Sequence, residues 1–314
     1  MSVVRAAMWA LAGGLVVGVA HAAEDADGAP PPEVAESEAA AADAAPLTWR
    51  FEPRAETRAG WRFLETSKWT VTGDNLVTVA GAPVRKGPID RLSSHRFDVT
   101  VVEVKDGKAF VTDVAIREQV SREDGDLDEI GLDGVTVRVS GKPGARAIER
   151  VDGVRLKRKQ KKWLQGQFGG RADQSGVDPT ELLLPDGEVR VGDSWDLSMD
   201  AIQGYLGTER FVLDREASHA RTTLTSVDEV DGDDVGTFAF DVLIVPSAME
   251  NAEFEEAAMT VVGTAQLPVR GDVPFSAYDV TTTLRFLGSF KRGAIRANVD
   301  LTMDMRGAES RSRP

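Results

Sequence analysis

Strict alternation of apolar and polar side chains is the feature that most constrains this sequence. Residues 295–306 place every second side chain on an apolar face, namely Ile295, Ala297, Val299, Leu301, Met303 and Met305. Successive side chains of a β-strand point to opposite faces of a sheet, so the segment predicts a strand with one dry face and one wet face. At about 3.3 Å per residue it extends roughly 40 Å, which indicates a broad, curved sheet.

The same alternation recurs upstream in pairs of segments joined by turn residues. Residues 96–104 and 109–116 flank Asp106-Gly107, a dipeptide that favours a tight hairpin turn. Residues 222–227 and 236–245 form a second pair, in which Phe238 and Phe240 share one face. The predicted fold class is mainly β: a large curved antiparallel sheet or half-barrel that carries one short amphipathic helix.

That helix is predicted over residues 154–168, where the spacing of apolar residues changes. Leu156, Trp163, Leu164 and Phe168 recur at helical spacing, and basic residues fill most of the other positions. Two interpretations of the basic face remain open. It contacts anionic lipid headgroups or an acidic partner, or it is a solvated face of a helix packed on the sheet, which is the commoner case for a charge run. The candidate surface-contact residues are Lys157, Arg158, Lys161 and Lys162.

The two halves of the chain share three similarities in the same order. Residues 58–61 parallel 191–195, and Ser94-His95 and Ser218-His219 each precede a hairpin. A hairpin at 135–151, around the turn 141–144, parallels one at 284–301, around 288–293. A duplicated β module and chance similarity among turn-rich strands both explain this order. The predicted boundaries are a signal peptide at 1–22, a disordered acidic Ala/Pro linker at 23–46, β module 1 at 47–153, the basic helix and connection at 154–183, β module 2 at 184–307 and a disordered tail at 308–314.

The N-terminal residues predict export. Arg5 precedes an apolar run at 6–19 and the small-x-small triplet Ala20-His21-Ala22, so we expect cleavage after Ala22. The run is shorter than the roughly 20 apolar residues of a membrane span. The sequence has no Cys, which excludes disulfides, thiolate metal sites and a lipidated cysteine. The expected location is periplasmic or extracellular, without a lipid anchor.

Charge excludes one class of partner. Seven acidic residues and no basic residue lie in 23–46, a composition typical of disordered linkers. The formal net charge of the whole chain is -14. Proteins that bind nucleic acid depend on basic surfaces to neutralise phosphates, so a nucleic acid partner is not expected.

One segment invites comparison with serine hydrolases. Gly192-Asp193-Ser194-Trp195 contains Gly-Asp-Ser, but Trp195 stands where a chymotrypsin-like enzyme needs Gly to form its oxyanion hole. The Gly-Asp-Ser-Leu esterases need a late histidine, whereas the last histidine here is His219. We therefore expect a turn leading into a strand, and no catalytic residue is predicted.

Metal and cofactor sites are not predicted either. Of the three histidines, His95 and His219 lie beyond the signal segment and have no paired ligand spacing. Two acidic loops, at 124–129 and 228–234, resemble calcium loops only in part, because Glu129 replaces the glycine that an EF-hand needs at its sixth position. We expect these loops to be solvated turns.

Residues 184–195 carry a resemblance to a known group of proteins. Val189-Arg190-Val191-Gly192-Asp193-Ser194-Trp195 resembles a Val-x-Val-Gly-Asp-Ser-Trp element of bacterial exported β-rich domains of unknown function. The resemblance implies an envelope location and a curved sheet, similar in outline to periplasmic half-barrels of the lipoprotein-carrier type, but no activity. This chain differs from the lipoprotein members because no Cys follows its signal segment.

These observations favour a non-catalytic protein that binds an apolar or amphiphilic ligand of the cell envelope. The alternatives are a structural or assembly protein that binds other envelope proteins and, third, a hydrolase using Ser194. The candidate ligand-binding residues are the apolar side chains Trp163, Phe238, Phe240, Phe286 and Met303.

Overall fold

The computed structural model describes residues 47–53, 57–127, 129–142, 144–169, 179–206, 211–273, 275–292 and 295–314. The predicted signal peptide and acidic linker lie outside these residues. Asp128 of the first acidic loop and residues 170–178 of the predicted connection also lie outside them.

The first half of the described chain contains six strands. They are β1 (Arg62–Val79), β2 (Ala82–Lys105), β3 (Lys108–Glu123), β4 (Asp126–Leu127), β5 (Thr136–Ser140) and β6 (Ala147–Arg150). The second half contains eight. They are β7 (Ser194–Asp196), β8 (Phe211–Leu213), β9 (His219–Val230), β10 (Asp233–Ile244), β11 (Pro246–Met249), β12 (Ala252–Pro268), β13 (Ser276–Arg292) and β14 (Ile295–Ser312).

These strands form one large antiparallel sheet that does not close into a barrel. Its order is β6-β5-β3-β2-β1-β14-β13-β12-β10-β9-β7, with β4, β8 and β11 paired off this path, so the first and last described strands pair at its centre. The two outer strands, β6 and β7, follow one another in sequence. The prediction of a mainly β chain with a large antiparallel sheet is confirmed.

Both predicted hairpins and the clearest predicted strand are present, with longer strands than expected. The hairpin over 96–116 is β2 paired with β3, and the second hairpin is β9 paired with β10. The hairpin over 135–151 is β5 paired with β6. Residues 284–301 also form a hairpin, but Gly288 is not in its turn, because it lies inside β13 opposite Val299. A Cβ at Gly288 would lie 2.4 Å from the Glu253 carbonyl oxygen, so glycine marks close approach of β12 there.

The prediction of a disordered tail at 308–314 is wrong for most of its length. Strand β14 continues to Ser312, and residues 307–312 of β14 pair with residues 64–69 of β1. The hydrogen-bonded ladder holds this segment although none of its residues from Glu309 to Ser312 is apolar. Two of these polar residues belong to the candidate site.

Three helices lie in the described part of the chain, whereas one was predicted. Helix α1 (Arg158–Phe168) matches the prediction but begins four residues later. Helices α2 (Pro179–Leu183) and α3 (Met199–Leu206) were missed, because five and eight residues are too few to establish a helical period. Within the described ranges, no helix combines the length and the apolar character that crossing a bilayer requires.

Apolar side chains of the inner face pack in separate clusters. The first apolar cluster joins strands β1, β2, β3, β5 and β6 to helix α1, and includes Phe63, Phe97, Val101, Ile116 and Leu164. The second apolar cluster joins strands β9, β10, β12, β13 and β14 to helix α3, and includes Leu224, Phe238, Ala265, Leu284 and Met305. A smaller third cluster contains Val77, Phe286, Ala297 and Val299.

The central strand pair is held by an unusually close contact. The indole of Trp69 on β1 lies on Gly307 of β14, its cross-strand neighbour. A Cβ built on Gly307 would lie 2.1 Å from Trp69 Cε3, well inside any allowed contact. Glycine is therefore required for the buried tryptophan to lie flat on its neighbour strand.

We predict that Gly307→Val destabilises the protein by about 2–3 kcal/mol, because the added side chain displaces Trp69. Urea unfolding followed by tryptophan fluorescence measures this change. Ala308→Val is the matched control, since Ala308 is exposed on the opposite face of the same strand. Equal stability of the two variants would contradict the contact.

Candidate functional site

A row of polar side chains crosses the inner face of the sheet. The registers place Gln119 of β3 opposite His95 of β2, and His95 opposite Ser67 of β1. Ser67 in turn lies opposite Glu309 of β14, which lies opposite Tyr278 of β13. Neighbouring strands are about 4.8 Å apart, so this row, here called the polar belt, is roughly 19 Å long. Along β1 and β2 it lies between the first and second apolar clusters.

An ion pair flanks the polar belt on the side of the first apolar cluster. Glu65 and Arg311 are cross-strand neighbours, and the Arg311 Nη2 donates to Glu65 Oε2 at 3.1 Å. The Arg311 guanidinium also lies over the Phe63 ring, 4.3 Å from its centroid. A guanidinium stacked on an aromatic face is stabilised by the ring quadrupole. Arg311 thus joins the polar belt to the aromatic side chains beside it.

Four buried polar atoms of this region have no hydrogen-bond partner in the described part of the chain. They are Ser67 Oγ, His95 Nε2, Gln119 Nε2 and Arg311 Nε. Folded proteins satisfy most buried polar groups, and each unpaired one costs about 1–3 kcal/mol. These four atoms lie on four neighbouring strands, where a bound water or the polar group of a ligand would satisfy them.

Burial and local charge shift the pKa values of three groups here. Burial lowers the pKa of His95 to about 4, and the Glu65 carboxylate, 4.0 Å from His95 Nε2, opposes this only in part. Burial raises the pKa of Glu309, and the nearby Glu65 charge adds to that increase. Burial alone would also raise the pKa of Glu65, but its ion pair with Arg311 lowers the pKa below the ordinary value. At neutral pH His95 is therefore uncharged.

An aromatic cleft of about 290 Å³ opens beside the ion pair, and its wall contains Glu65 and Arg311. Ten of its sixteen lining residues are apolar, among them Trp61, Phe63, Phe97, Val99, Phe110 and Phe168, and the polar ones include Thr112, Arg146 and Gln167. Phe168 is the last residue of α1, and its ring centroid lies 5.5 Å from that of Phe97. The helix therefore forms one wall of the cleft.

His95 connects the aromatic cleft to the polar belt. Its ring stacks on Phe97 with centroids 4.2 Å apart and an interplanar angle of 10°. One face of the imidazole is thus packed on the floor of the cleft, while His95 itself belongs to the polar belt. The apolar surface of the cleft and the polar belt are thus separated only by the His95 side chain. A ligand with an apolar part and a polar part could contact both.

The predicted ligand-binding residues do not come together in this cleft. Phe238 and Met303 are buried in the second apolar cluster, with Phe240 packed against them, and Phe286 is buried in the third. Phe238 contacts the rings of Phe51 and Trp195, at centroid distances of 4.8 and 6.0 Å. Trp163 is nearest to the cleft, with its ring 6.2 Å from that of Phe97.

The predicted surface-contact residues lie together on and before α1. Lys157, Arg158 and Lys161 line a separate cleft next to β6, and Lys162 is exposed on the same helix. Ser194 lies apart from both clefts in the sequence and in the sheet. It is the first residue of β7, after a turn in which Gly192 has a φ of 94°, and its hydroxyl lies 2.7 Å from Thr223 Oγ1.

Sequence reasoning missed Glu65, Ser67, Glu309 and Arg311. It treated residues beyond 307 as a tail, and it considered His95 as a metal ligand and as part of a possible repeat but not as a ligand-binding residue. One sequence signal could have found two of them. Glu309 and Arg311 stand at the same alternate positions as the apolar residues from Ala297 to Met305, so a strand that continued to residue 311 would place them on the same face. Among the described residues, no group of three or more acidic or histidine side chains is arranged to hold a metal ion.

Comparisons with known proteins identify no family. No protein-family model and no curated protein matches this chain. A solved structure of lipid-protein interactions in lipovitellin is similar to it with a TM-score of 0.32 and 6% identity, over 81% of this chain and 25% of that chain. The chain thus spans about a quarter of that structure, and similarity at this level identifies neither a family nor a ligand.

We predict that His95 makes the protein less stable in mild acid. The unfolded chain binds a proton at His95 near pH 6.5, whereas the folded protein does so only near pH 4. The stability that the neutral ring contributes is present above pH 6.5 and is lost as pH falls toward 4, by on the order of 2–3 kcal/mol. Urea unfolding at about pH 7 and about pH 4.5 measures this loss.

His95→Phe should reduce that loss, because phenylalanine keeps the stack on Phe97 and does not titrate. His219→Phe, at an exposed histidine of β9, is the matched control and should retain the wild-type loss. The raised pKa of Glu309 opposes the loss of stability in acid, whereas the lowered pKa of Glu65 adds to it at lower pH. Both glutamates are present in every variant, so the comparison between variants isolates the contribution of His95. If His95→Phe and the wild type lose equal stability, His95 is not buried in its neutral form.

Proposed function

We propose that this protein binds an uncharged amphiphile, with the apolar chain in the aromatic cleft and the polar group against the polar belt. The observation that carries the proposal is the adjacency of an apolar cleft to buried, unpaired polar atoms on neighbouring strands. Small-molecule sites in proteins combine these features: mostly apolar walls and a few convergent polar groups.

The size of the cleft favours one apolar chain or part of one. A volume of about 290 Å³ is near the lower end of the range typical of ligand pockets. Phe97 and Val101 form a well-buried floor, while Trp61 and Phe168 are partly exposed at the rim. An acyl chain placed there would remove apolar surface from water, at about 25 cal/mol per Å² buried.

Local charge argues against a carboxylate headgroup. Arg311 is already engaged by Glu65, His95 is neutral at physiological pH, and Glu309 lies on the adjacent strand. An incoming anion would meet Glu65 and Glu309, and the second cation of the cleft, Arg146, already donates to the Phe168 carbonyl oxygen. The unpaired hydroxyl of Ser67, amide nitrogen of Gln119 and imidazole nitrogen of His95 instead suit a hydroxyl or ester group, which can donate and accept hydrogen bonds.

The same geometry favours binding over hydrolysis. A serine nucleophile needs a histidine nitrogen within hydrogen-bonding distance as its base. Ser67 Oγ has no partner in the described chain, and Glu65 approaches Nε2 of His95, the nitrogen that such a base would use. We propose the cell envelope as the place of action, on the strength of the predicted signal peptide.

We predict that Thr112→Trp weakens amphiphile binding at least tenfold. Thr112 lines the cleft from β3, so an indole there fills the space that the apolar chain would occupy. Isothermal titration with monododecanoylglycerol should show at least a tenfold loss of affinity. Val111→Trp, which places the same bulk on the opposite face of β3, should bind like the wild type. Absence of binding by the wild type, or equal binding by both variants, would refute the cleft as the site.

We also predict a preference for the neutral ligand. Near neutral pH, monododecanoylglycerol should bind at least tenfold more tightly than dodecanoate, which has the same apolar chain, because the carboxylate would lie beside Glu65 and Glu309. The two ligands are compared by the same titration. Tighter binding of dodecanoate would show that the headgroup does not lie against these acids.

A further inference from the structure

A second cleft lies at the N-terminal end of α1 and is distinct in chemistry from the aromatic cleft. It has a volume of about 770 Å³ and is lined by residues of β6, the following loop and the first turns of α1. Five of its lining residues are basic and one is acidic: Arg150, Arg155, Lys157, Arg158 and Lys161 against Glu149. We call it the basic cleft.

Most of these cations have no ion-pair partner among the described residues. Arg150 is paired with Asp152. Arg155, Lys157, Arg158 and Lys161 form no ion pair with any described residue, and all four are exposed. Residues 150–162 contain seven basic residues and one acidic residue, a formal charge of +6 in a chain whose net charge is -14. The charge of this surface is therefore opposite to that of the protein as a whole.

The basic residues also interact unfavourably with the amino end of α1. The first turn of α1 contains no acidic residue, although the amino end of a helix carries a partial positive charge that favours anions. Arg158 and Lys161 add like charge at that end. Burial of Leu164 and packing of Trp163 hold the helix in place despite this cost. An external anion at the basic cleft would relieve the repulsion.

Two exposed valines stand beside the cations. Val151 and Val154 flank the turn at Gly153, with 51% and 54% of their surfaces exposed. Val154 itself lines the basic cleft. Small apolar side chains projecting among lysines and arginines are typical of surfaces that lie in the headgroup region of a bilayer, where the chain contacts apolar and anionic groups together.

We propose that the basic cleft and the two valines dock this protein on an anionic bilayer surface. The cations lie against lipid phosphates, and Val151 and Val154 enter the boundary between headgroups and acyl chains. This inference stands independently of the amphiphile site, since it depends on different residues and a different ligand.

Sedimentation with lipid vesicles tests the proposal. The full chain should bind phosphatidylcholine vesicles that contain phosphatidylglycerol, and not vesicles of phosphatidylcholine alone. Each basic residue near an anionic surface strengthens binding by roughly fivefold. The triple variant Lys157→Gln, Arg158→Gln, Lys161→Gln should therefore lose binding by about a hundredfold, and Val151→Ser with Val154→Ser by a smaller factor.

A charge-matched control separates the site from overall charge. Lys86→Gln, Lys108→Gln and Arg306→Gln together remove three exposed cations elsewhere on the sheet and should leave vesicle binding within about twofold of the wild type. Equal losses in the two triple variants would overturn the proposal, as would failure of the wild type to bind. Displacement by soluble glycerol phosphate at the same phosphate concentration would also overturn it, because that would assign the cleft to a free anion.

Discussion

Cross-strand register is the constraint on which the rest of this structure depends. Side chains of a strand alternate between the faces of the sheet, so a fixed register aligns inward residues of successive strands in rows. The pairing of Ser67 with both His95 and Glu309 places three strands' polar residues in one such row. A shift of one residue between β1 and β14 would turn Glu309 and Arg311 to the outer face and leave Glu65 buried without its cation.

The sequence predicted the sheet well because its apolar face is continuous over long strands. From Ala297 to Met305 each inward position is apolar, and the resulting strand is present. The same reasoning failed at Glu309 and Arg311, where the inward positions are charged. A hydrophobic pattern cannot reveal a face whose buried residues are polar. The candidate site lies where the apolar alternation of β14 ends, and only the pairing with β1 shows that the strand continues.

Helix α1 has a different role at each of its ends. Its apolar side chains, among them Leu164, complete the first apolar cluster, and its last residue, Phe168, forms a wall of the aromatic cleft. Its first turns carry Arg158 and Lys161 of the basic cleft. The sequence showed both the apolar stripe and the basic face, but not that one end of the helix reaches Phe97. That contact depends on Phe97 of strand β2, about seventy residues before Phe168, and so no local pattern encodes it.

The pairing of β1 with β14 has a consequence for how the chain folds. Leu64 and Ser312 are partners although 248 positions separate them in the sequence. Closing so long a loop is entropically costly, and non-local pairing of this kind slows folding. During synthesis, one edge of β1 would remain unpaired until β14 is made, and an unpaired strand edge can pair with a wrong partner. We therefore expect this architecture to fold slowly and to benefit from a chaperone.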